Sequence, residues 1–219
     1  MRTKERILLE SKAWRQEKLA LDHEYFTRLN EMHQPKILWI CPTDSLASVR
    51  EMTNTDPGDI IIYGNLGAQI KQDDESLMAV IEEAVTSYQV TQIIICGYSH
   101  CKAISQIVRG TTTSPYVRSW LKDLQDLYNN HYPELREHPH EKQEAMLSEL
   151  NIREQVIRLS KVPCVQKAWE KRDFPEIYGW YLDLKTGTLQ EVFSLEKNHR
   201  LKQLSSLADD SSGIKVTAS

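Results

Sequence analysis

The sequence lacks any apolar run long enough to cross a membrane. Its longest apolar runs hold about five residues, whereas a spanning helix needs roughly 20. It also lacks a positive charge excess, because 27 Lys and Arg stand against 31 Asp and Glu, for a net charge of −4. Nucleic acids and anionic membranes attract basic surfaces. We therefore expect neither nucleic acid nor membrane as a partner.

Cysteine is scarce and unpaired in the sequence. Its four cysteines are widely spaced and form no C-x-x-C pair, so a disulfide framework is not expected and a reducing compartment fits. Residues 1–20 are charged throughout and lack the apolar core of a secretory signal. These features predict a cytoplasmic protein. With 219 residues, 40% of them apolar, the chain is long enough to bury a core without disulfides.

Three short apolar segments are present, and each is typical of a buried strand. They alternate with amphipathic helices, a pattern that predicts a parallel sheet covered on both faces. Ligands of such sheets bind beyond the carboxyl ends of the strands. The predicted strands cover 36–41, 59–63 and 92–96. The loops expected to meet at one edge are 41–46, 64–68 and 97–102.

The rest of the chain divides into an arm, a domain and a tail. We predict a helical arm over residues 1–35, ending at Pro35. We predict an α/β domain over residues 36–202. Further helices are expected over 45–52, 74–88, 101–108 and 151–163. Two β-rich runs around Lys-Thr-Gly within 177–193 predict a hairpin at the sheet edge. Residues 203–219, rich in Ser and Asp, predict a flexible tail.

The three loops resemble those of the β-class carbonic anhydrases in their order and spacing. The resemblance rests on "LWICPTDS", "DPGDIIIYGNLGA" and "IIICGYSHC", and extends over roughly residues 5–200. It implies that family's parallel sheet flanked by helices, with an N-terminal helical arm and a C-terminal hairpin edge. It also implies a homo-oligomer, a dimer or a tetramer, in which the helical arm wraps the partner subunit.

The family's zinc site has a pattern at two of these loops. Cys-x-Asp-x-Arg follows the first strand, and His-x-x-Cys follows the third. The two cysteines and the histidine bind zinc, and the aspartate and arginine form a gating pair. Zinc prefers thiolate and imidazole ligands with one open position for water, and it lowers the pKa of that water to about 7.

This sequence departs from the pattern at the ligand positions. Pro42 stands in place of the first zinc cysteine and Tyr98 in place of the histidine, while Cys101 is the only retained zinc ligand. Proline has no donor atom, and a tyrosine binds zinc well only after losing a proton with a pKa near 10. The resemblance thus implies a degenerate zinc site.

The gating pair is incomplete as well. The gating aspartate, Asp44, and the following Ser45 are kept, but Leu46 replaces the arginine. Asn65 remains in the middle loop. The candidate pocket therefore consists of Pro42, Asp44, Ser45, Leu46, Asn65, Tyr98 and Cys101.

The simpler interpretations of these residues are structural. Asp44 or Ser45 serves as the N-cap of the helix expected over 45–52. Tyr98 fills the vacated metal cavity and hydrogen-bonds Asp44. Cys41, like Cys96 and Cys164, is a small core residue, as free cysteines usually are.

Two alternatives retain catalysis. In the first, Cys41, His100 and Cys101 form a rearranged zinc set. Two objections stand against it: a one-residue slip reverses the direction of a strand side chain, and the adjacent His100 and Cys101 cannot easily share one ion. In the second, Cys101 is a nucleophile with its pKa lowered at a helix N-terminus, Tyr98 or His100 is its acid–base partner, and Asp44 orients that partner.

The interpretation we favour at this point is a pseudoenzyme acting by binding or assembly. It predicts no cofactor, and zinc only if the site is rearranged. Its partners are further copies of itself, or an active paralogue in a mixed oligomer. A further alternative is an oligomeric scaffold with no ligand, which predicts Leu46 packed on Tyr98 in a filled pocket.

Overall fold

A five-stranded sheet organises the computed structural model, which describes residues 3–31 and 34–195. The strand order is β2-β1-β3-β4-β5. The first four strands pair in parallel, and β5 pairs antiparallel with β4 as the edge hairpin. The strands are β1 Ile37–Pro42, β2 Ile60–Asn65, β3 Gln92–Tyr98, β4 Glu176–Asp183 and β5 Thr188–Leu195. The three predicted strands and the hairpin are confirmed.

Helices cover both faces of this sheet. The helices are α1 Lys4–Leu21, α2 Tyr25–Glu31, α3 Val49–Thr53, α4 Glu75–Glu82, α5 Lys102–Val108, α6 Pro115–Trp120, α7 Lys122–Leu135, α8 His140–Ser160 and α9 Pro163–Lys171. A π-helical segment, Glu83–Ser87, extends α4, and a short 3-10 turn, Leu66–Ala68, follows β2. None of the described helices is long and apolar enough to cross a membrane.

The apolar strands divide the core into two layers. Trp39 and Ile94 pack in one cluster with Cys96, while Ile40 and Ile95 pack in the other. Successive strand side chains point to opposite faces, so a strand that is apolar at every position supplies both layers. This explains why uninterrupted apolar runs predicted β1 and β3 as buried strands. The same prediction of burial was wrong for β2, which lies at the sheet edge and has Ile62 44% exposed.

Helices α1 and α2 lie within the helical arm predicted over 1–35, and they confirm its helical character over Lys4–Leu21 and Tyr25–Glu31. Helix α1 begins after the N-cap Thr3, whose side chain accepts a hydrogen bond from the Arg6 amide, and no residue of α1 is buried. Ile7, Leu8 and Leu9 are all more than half exposed. The predicted tail, 203–219, lies outside the described residues.

Several predicted helix bounds were wrong. The helix expected over 45–52 begins only at Val49, with Ser48 as its N-cap, so neither Asp44 nor Ser45 caps it. The helix expected over 151–163 is the last part of the longer α8. The helix expected to start after Asp73 and Asp74 does so, because the Asp74 side chain accepts a hydrogen bond from the Leu77 amide.

Candidate functional site

The three loops predicted to meet do meet at the carboxyl edge of the sheet. The Thr43 amide donates to the Asn65 carbonyl at 3.0 Å, which joins the loops after β1 and β2. The Lys102 amide donates to Asp44 Oδ2 at 2.9 Å, which joins the loops after β1 and β3. Parallel strands end at the same edge, so residues some 20 to 60 positions apart become neighbours.

Tyr98 and Asp44 are bonded at the centre of this edge. The Tyr98 hydroxyl donates to Asp44 Oδ1 at 2.6 Å, which is the contact expected from the sequence. Tyr98 is 2% exposed. Burial, and then the hydrogen bond to Asp44, raise the pKa of the Tyr98 hydroxyl well above its ordinary value. Tyr98 therefore stays protonated at physiological pH and is a donor to the carboxylate.

Contrary to the prediction, Asp44 does not cap the helix that follows its own loop but bonds the start of a distant helix, α5. One carboxylate oxygen accepts from Tyr98 and the other from the backbone of Lys102, the first residue of α5. The first amides of a helix lack intrahelical acceptors and favour negative charge. Asp44 consequently stabilises the start of α5, across the sheet edge from its own strand.

The two residues that end β1 are both buried. Pro42 pairs in register with Asn65 of β2. Cys41 is 7% exposed and belongs to the same core cluster as Tyr98 and Cys101. The expected reversal of its side-chain direction was therefore wrong: Cys41 lies on the Tyr98 side of the sheet. Burial raises the pKa of the Cys41 thiol to about 11.

Cys101 precedes α5 but does not have the lowered pKa expected at a helix N-terminus. It is 3% exposed. Burial raises the pKa of its thiol to about 11, and the opposing effect of hydrogen bonds from the Ile104 and Ala103 amides is smaller. Desolvation of the thiolate exceeds the stabilisation by the helix amides, so the thiol is protonated and weakly nucleophilic at neutral pH.

His100 and Leu46 both lie on the outside of the site. His100 is exposed and has a left-handed backbone with φ of 63°, whereas its neighbour Cys101 is buried. Leu46 is 85% exposed, so the packing of Leu46 on Tyr98 expected for a filled scaffold is wrong. Within 3–31 and 34–195, no group of three or more His, Cys, Asp and Glu side chains is arranged to hold a metal ion.

Ser45 and Asn65 each form hydrogen bonds close to their own positions in the loops. The Ser45 hydroxyl donates to the Ala47 carbonyl at 3.3 Å. Asn65 is 8% exposed and bonds Gln69 twice, donating to its carbonyl at 2.8 Å and accepting from its amide at 2.7 Å. Both are therefore loop-shaping residues in the described structure.

A buried amide network supports the middle loop, and the sequence reasoning missed it. Gln69 Nε2 donates to Asn151 Oδ1 at 2.7 Å, and Asn151 Nδ2 donates to the Gly67 carbonyl at 2.9 Å. Gln155 Oε1 accepts from the Ile70 amide at 2.8 Å. The one available signal was two amides four residues apart, Asn151 and Gln155, in an otherwise apolar helix face.

The fold has close counterparts among solved structures. A tetrameric β-carbonic anhydrase from Sordaria macrospora aligns with a TM-score of 0.81 at 26% identity, covering 84% of this chain and 94% of that one. A β-carbonic anhydrase of Aspergillus fumigatus aligns with a TM-score of 0.82 at 27% identity, covering 92% and 96%. The parallel sheet with a site at its carboxyl edge is thus the β-carbonic anhydrase architecture.

The sequence comparisons give the same assignment. The family model for carbonic anhydrase matches residues 37–189. A carbonic anhydrase of Emericella nidulans is 29% identical over 191 residues, covering 87% of this chain and 83% of the relative. One of Helicobacter pylori is 28% identical over 181 residues, covering 76% and 80%. This chain belongs to the β-class carbonic anhydrase family.

Proposed function

We propose that this chain is a carbonic anhydrase homologue with a degenerate zinc site, a pseudoenzyme that acts by binding or assembly. The observation that supports this most directly is the hydrogen bond from Tyr98 to Asp44 at 2.6 Å. It puts a neutral phenol at the position where the family has a zinc-binding imidazole, and it occupies the carboxylate that would face the metal.

The donor set does not fit zinc. Pro42 offers no donor atom, and the Tyr98 hydroxyl stays protonated and bound to Asp44. Cys101 is then the single soft ligand at the family positions. Tetrahedral zinc sites need three or four protein ligands, so we derive no step of carbon dioxide hydration through this site.

The two catalytic alternatives have less support. For the rearranged set, Cys41 lies in the cluster with Cys101, but His100 is exposed while Cys101 is buried, so the two neighbours do not converge. For the Cys101 nucleophile, the thiol pKa is raised and not lowered. Neither provides an activated nucleophile at neutral pH.

We further propose that the protein assembles with copies of itself, with the helical arm 1–35 wrapping a partner subunit. The solved relative from Sordaria macrospora is described as tetrameric. Helix α1 has no buried residue and exposes Ile7, Leu8 and Leu9, so a partner surface would stabilise it. A mixed oligomer with an active paralogue and a cytoplasmic location stay predictions from the sequence.

Elemental analysis of protein purified after zinc-replete expression tests the degenerate site. We expect essentially no zinc per subunit and no acceleration of carbon dioxide hydration in a stopped-flow pH-indicator assay. A stoichiometry close to one zinc per subunit would overturn the proposal. In that case loss of the metal in Cys41→Ser would identify the rearranged set.

Restoring the family residues tests the architecture separately. The triple variant Pro42→Cys, Leu46→Arg and Tyr98→His is expected to regain zinc binding at least in part, because the three loops already meet. The matched control is Pro42→Ser, Leu46→Lys and Tyr98→Phe, which changes the same positions without adding ligands and should bind none. A restored triple variant that folds but binds no zinc would show that the loops themselves have moved.

A further inference from the structure

A second cavity lies on the far side of the molecule from this site, between the α4–π segment and α9. Its volume is about 860 Å³, within the range of small-molecule sites. The apolar floor consists of Met78, Val85, Val162 and Ala168. The cationic rim consists of Lys167, Lys171 and Arg172. We call this cavity the α4–α9 groove.

The groove is apolar below and positively charged at its edge. Val85 is fully buried and Val162 is 3% exposed, so the floor is fixed by core packing. The rim has three cations, and Glu82 is the one carboxylate that lines the groove within the described residues. In the same described residues, Lys167 and Lys171 form no ion pair. An apolar surface next to an excess of positive charge is complementary to a ligand with an alkyl chain and an anionic head.

Arg172 connects the rim to the floor. Its Nη2 donates to the Val85 carbonyl in the π-helical segment, and its guanidinium lies 4.5 Å from the centroid of the Phe174 ring. Its Nε is buried and has no acceptor within the described residues. π-Helical segments are also frequent at functional sites.

We propose that the α4–α9 groove binds a fatty-acid-like carboxylate, with its head at the cationic rim and its alkyl chain along the apolar floor. The other occupant to consider is helix α1 of a second copy. That helix carries five basic and three acidic residues, so its net charge has the same sign as the rim. Charge complementarity therefore favours the small anion.

Cys164 provides a direct reporter of occupancy. It lines the groove and is half-buried, whereas Cys41, Cys96 and Cys101 are all buried. Burial raises the pKa of its thiol above the ordinary value, so alkylation is measured at about pH 9. Iodoacetamide labelling of the full-length protein, followed by peptide mass spectrometry, gives the rate at Cys164 alone.

The probe is dodecanoate below its micellar concentration, compared with dodecyltrimethylammonium, which has the same chain and the opposite charge. We expect dodecanoate to slow alkylation of Cys164 at least about fivefold with saturation at one per chain, and the cationic amphiphile to have little effect. The Lys167→Glu, Lys171→Glu variant should raise the Kd for dodecanoate about tenfold. Lys142→Glu, far from the groove, is the matched control and should leave it unchanged.

Three results would overturn the proposal. Equal protection by both amphiphiles would show that the rim does not select charge. No protection of Cys164, with calorimetry also showing no saturable binding of dodecanoate, would show that the groove takes no such ligand. Alkylation that slows with rising protein concentration alone would assign the groove to a second copy of the chain. These outcomes are independent of the zinc content on which the proposed function depends.

Discussion

Replacing Tyr98 with Phe isolates the hydrogen bond on which the proposed function depends. The ring stays in its buried position, since Tyr98 is 2% exposed, and only the hydroxyl bonded to Asp44 at 2.6 Å is removed. Hydrogen bonds to charged groups contribute about 1.5–3 kcal/mol. Because Asp44 is only partly buried, we expect Tyr98→Phe to lower the free energy of unfolding by about 2 kcal/mol.

A double-mutant cycle with Asp44→Ala assigns that energy to the pair. Asp44→Ala also removes the acceptor of the Lys102 amide, at 2.9 Å, and leaves the Tyr98 hydroxyl buried without a partner. We expect it to cost about 3 kcal/mol. The double variant should cost about 2 kcal/mol less than the sum of the two single variants, because both remove the same bond. Urea unfolding followed by circular dichroism measures all four proteins.

Tyr63 and Asp74 provide a matched control pair. The Tyr63 hydroxyl also donates to an aspartate, but at 3.2 Å and in a more exposed place. Its coupling energy should be about 0.5 kcal/mol or less. A coupling for Tyr98 and Asp44 no larger than that of the control pair would refute the reasoning, because the bond would then be too weak to hold the site closed against a metal.

Two further predictions concern the scaffold around the site. Arg158 bonds Asp123 and lowers the pKa of its carboxyl below the usual 3.8, so the stabilisation is present above about pH 4 and is lost as pH falls through the lowered value. Since both side chains are about a third exposed, urea unfolding should show Asp123→Asn less stable by only about 0.5–1 kcal/mol at pH 7. This difference should shrink as the pH falls through the lowered value, and a difference that is undiminished in acid would contradict the prediction. Gly179→Ala should lower the free energy of unfolding by about 1–3 kcal/mol in the same assay, because the added Cβ would lie 2.5 Å from Ile152 Cγ2 and 3.3 Å from the Phe193 carbonyl. Gly64→Ala is the control, since its nearest neighbour would be the Thr43 methyl at 3.2 Å. Equal costs for the two variants would be inconsistent with close packing of α8 on β4.

Under the proposed function, the bond between Tyr98 and Asp44 is what would let a carbonic anhydrase fold persist without the metal that organises the family's site. In this chain Asp44 still joins the loop after β1 to the start of α5, through the Tyr98 hydroxyl and the Lys102 amide. Under the proposed function, the tyrosine is a structural replacement for a ligand, because its hydroxyl holds an aspartate at the sheet edge. The same geometry leaves the α4–α9 groove and the exposed face of α1 as the surfaces most suited to binding.

Much of the fold could be predicted because its signals are local. Uninterrupted apolar runs predicted β1 to β3, and β1 and β3 are buried on both faces. β2 is an edge strand whose Ile62 is 44% exposed, so its apolar run predicted the strand but not its degree of burial. The hairpin of β4 and β5 followed from turn chemistry. Helix starts were less reliable: Asp74 caps its helix as predicted, but Asp44 bonds a helix that begins 58 positions later. Local patterns do not distinguish a cap for the adjacent helix from a cap for a distant one.

The sequence by itself determined the family and the chemistry available at the site, because the identity of a side chain fixes which donor atoms it has. Pro42 has none, and Tyr98 has a phenol. Only the tertiary structure decided what those atoms do. It placed Cys41 in the same core cluster as Cys101, exposed Leu46 and buried the Cys101 thiol deeply enough to raise its pKa. It also formed the α4–α9 groove from segments about 80 residues apart. The burial of a side chain, the direction in which it points and the residues near it depend on segments that are distant in the chain. No local sequence pattern specifies them.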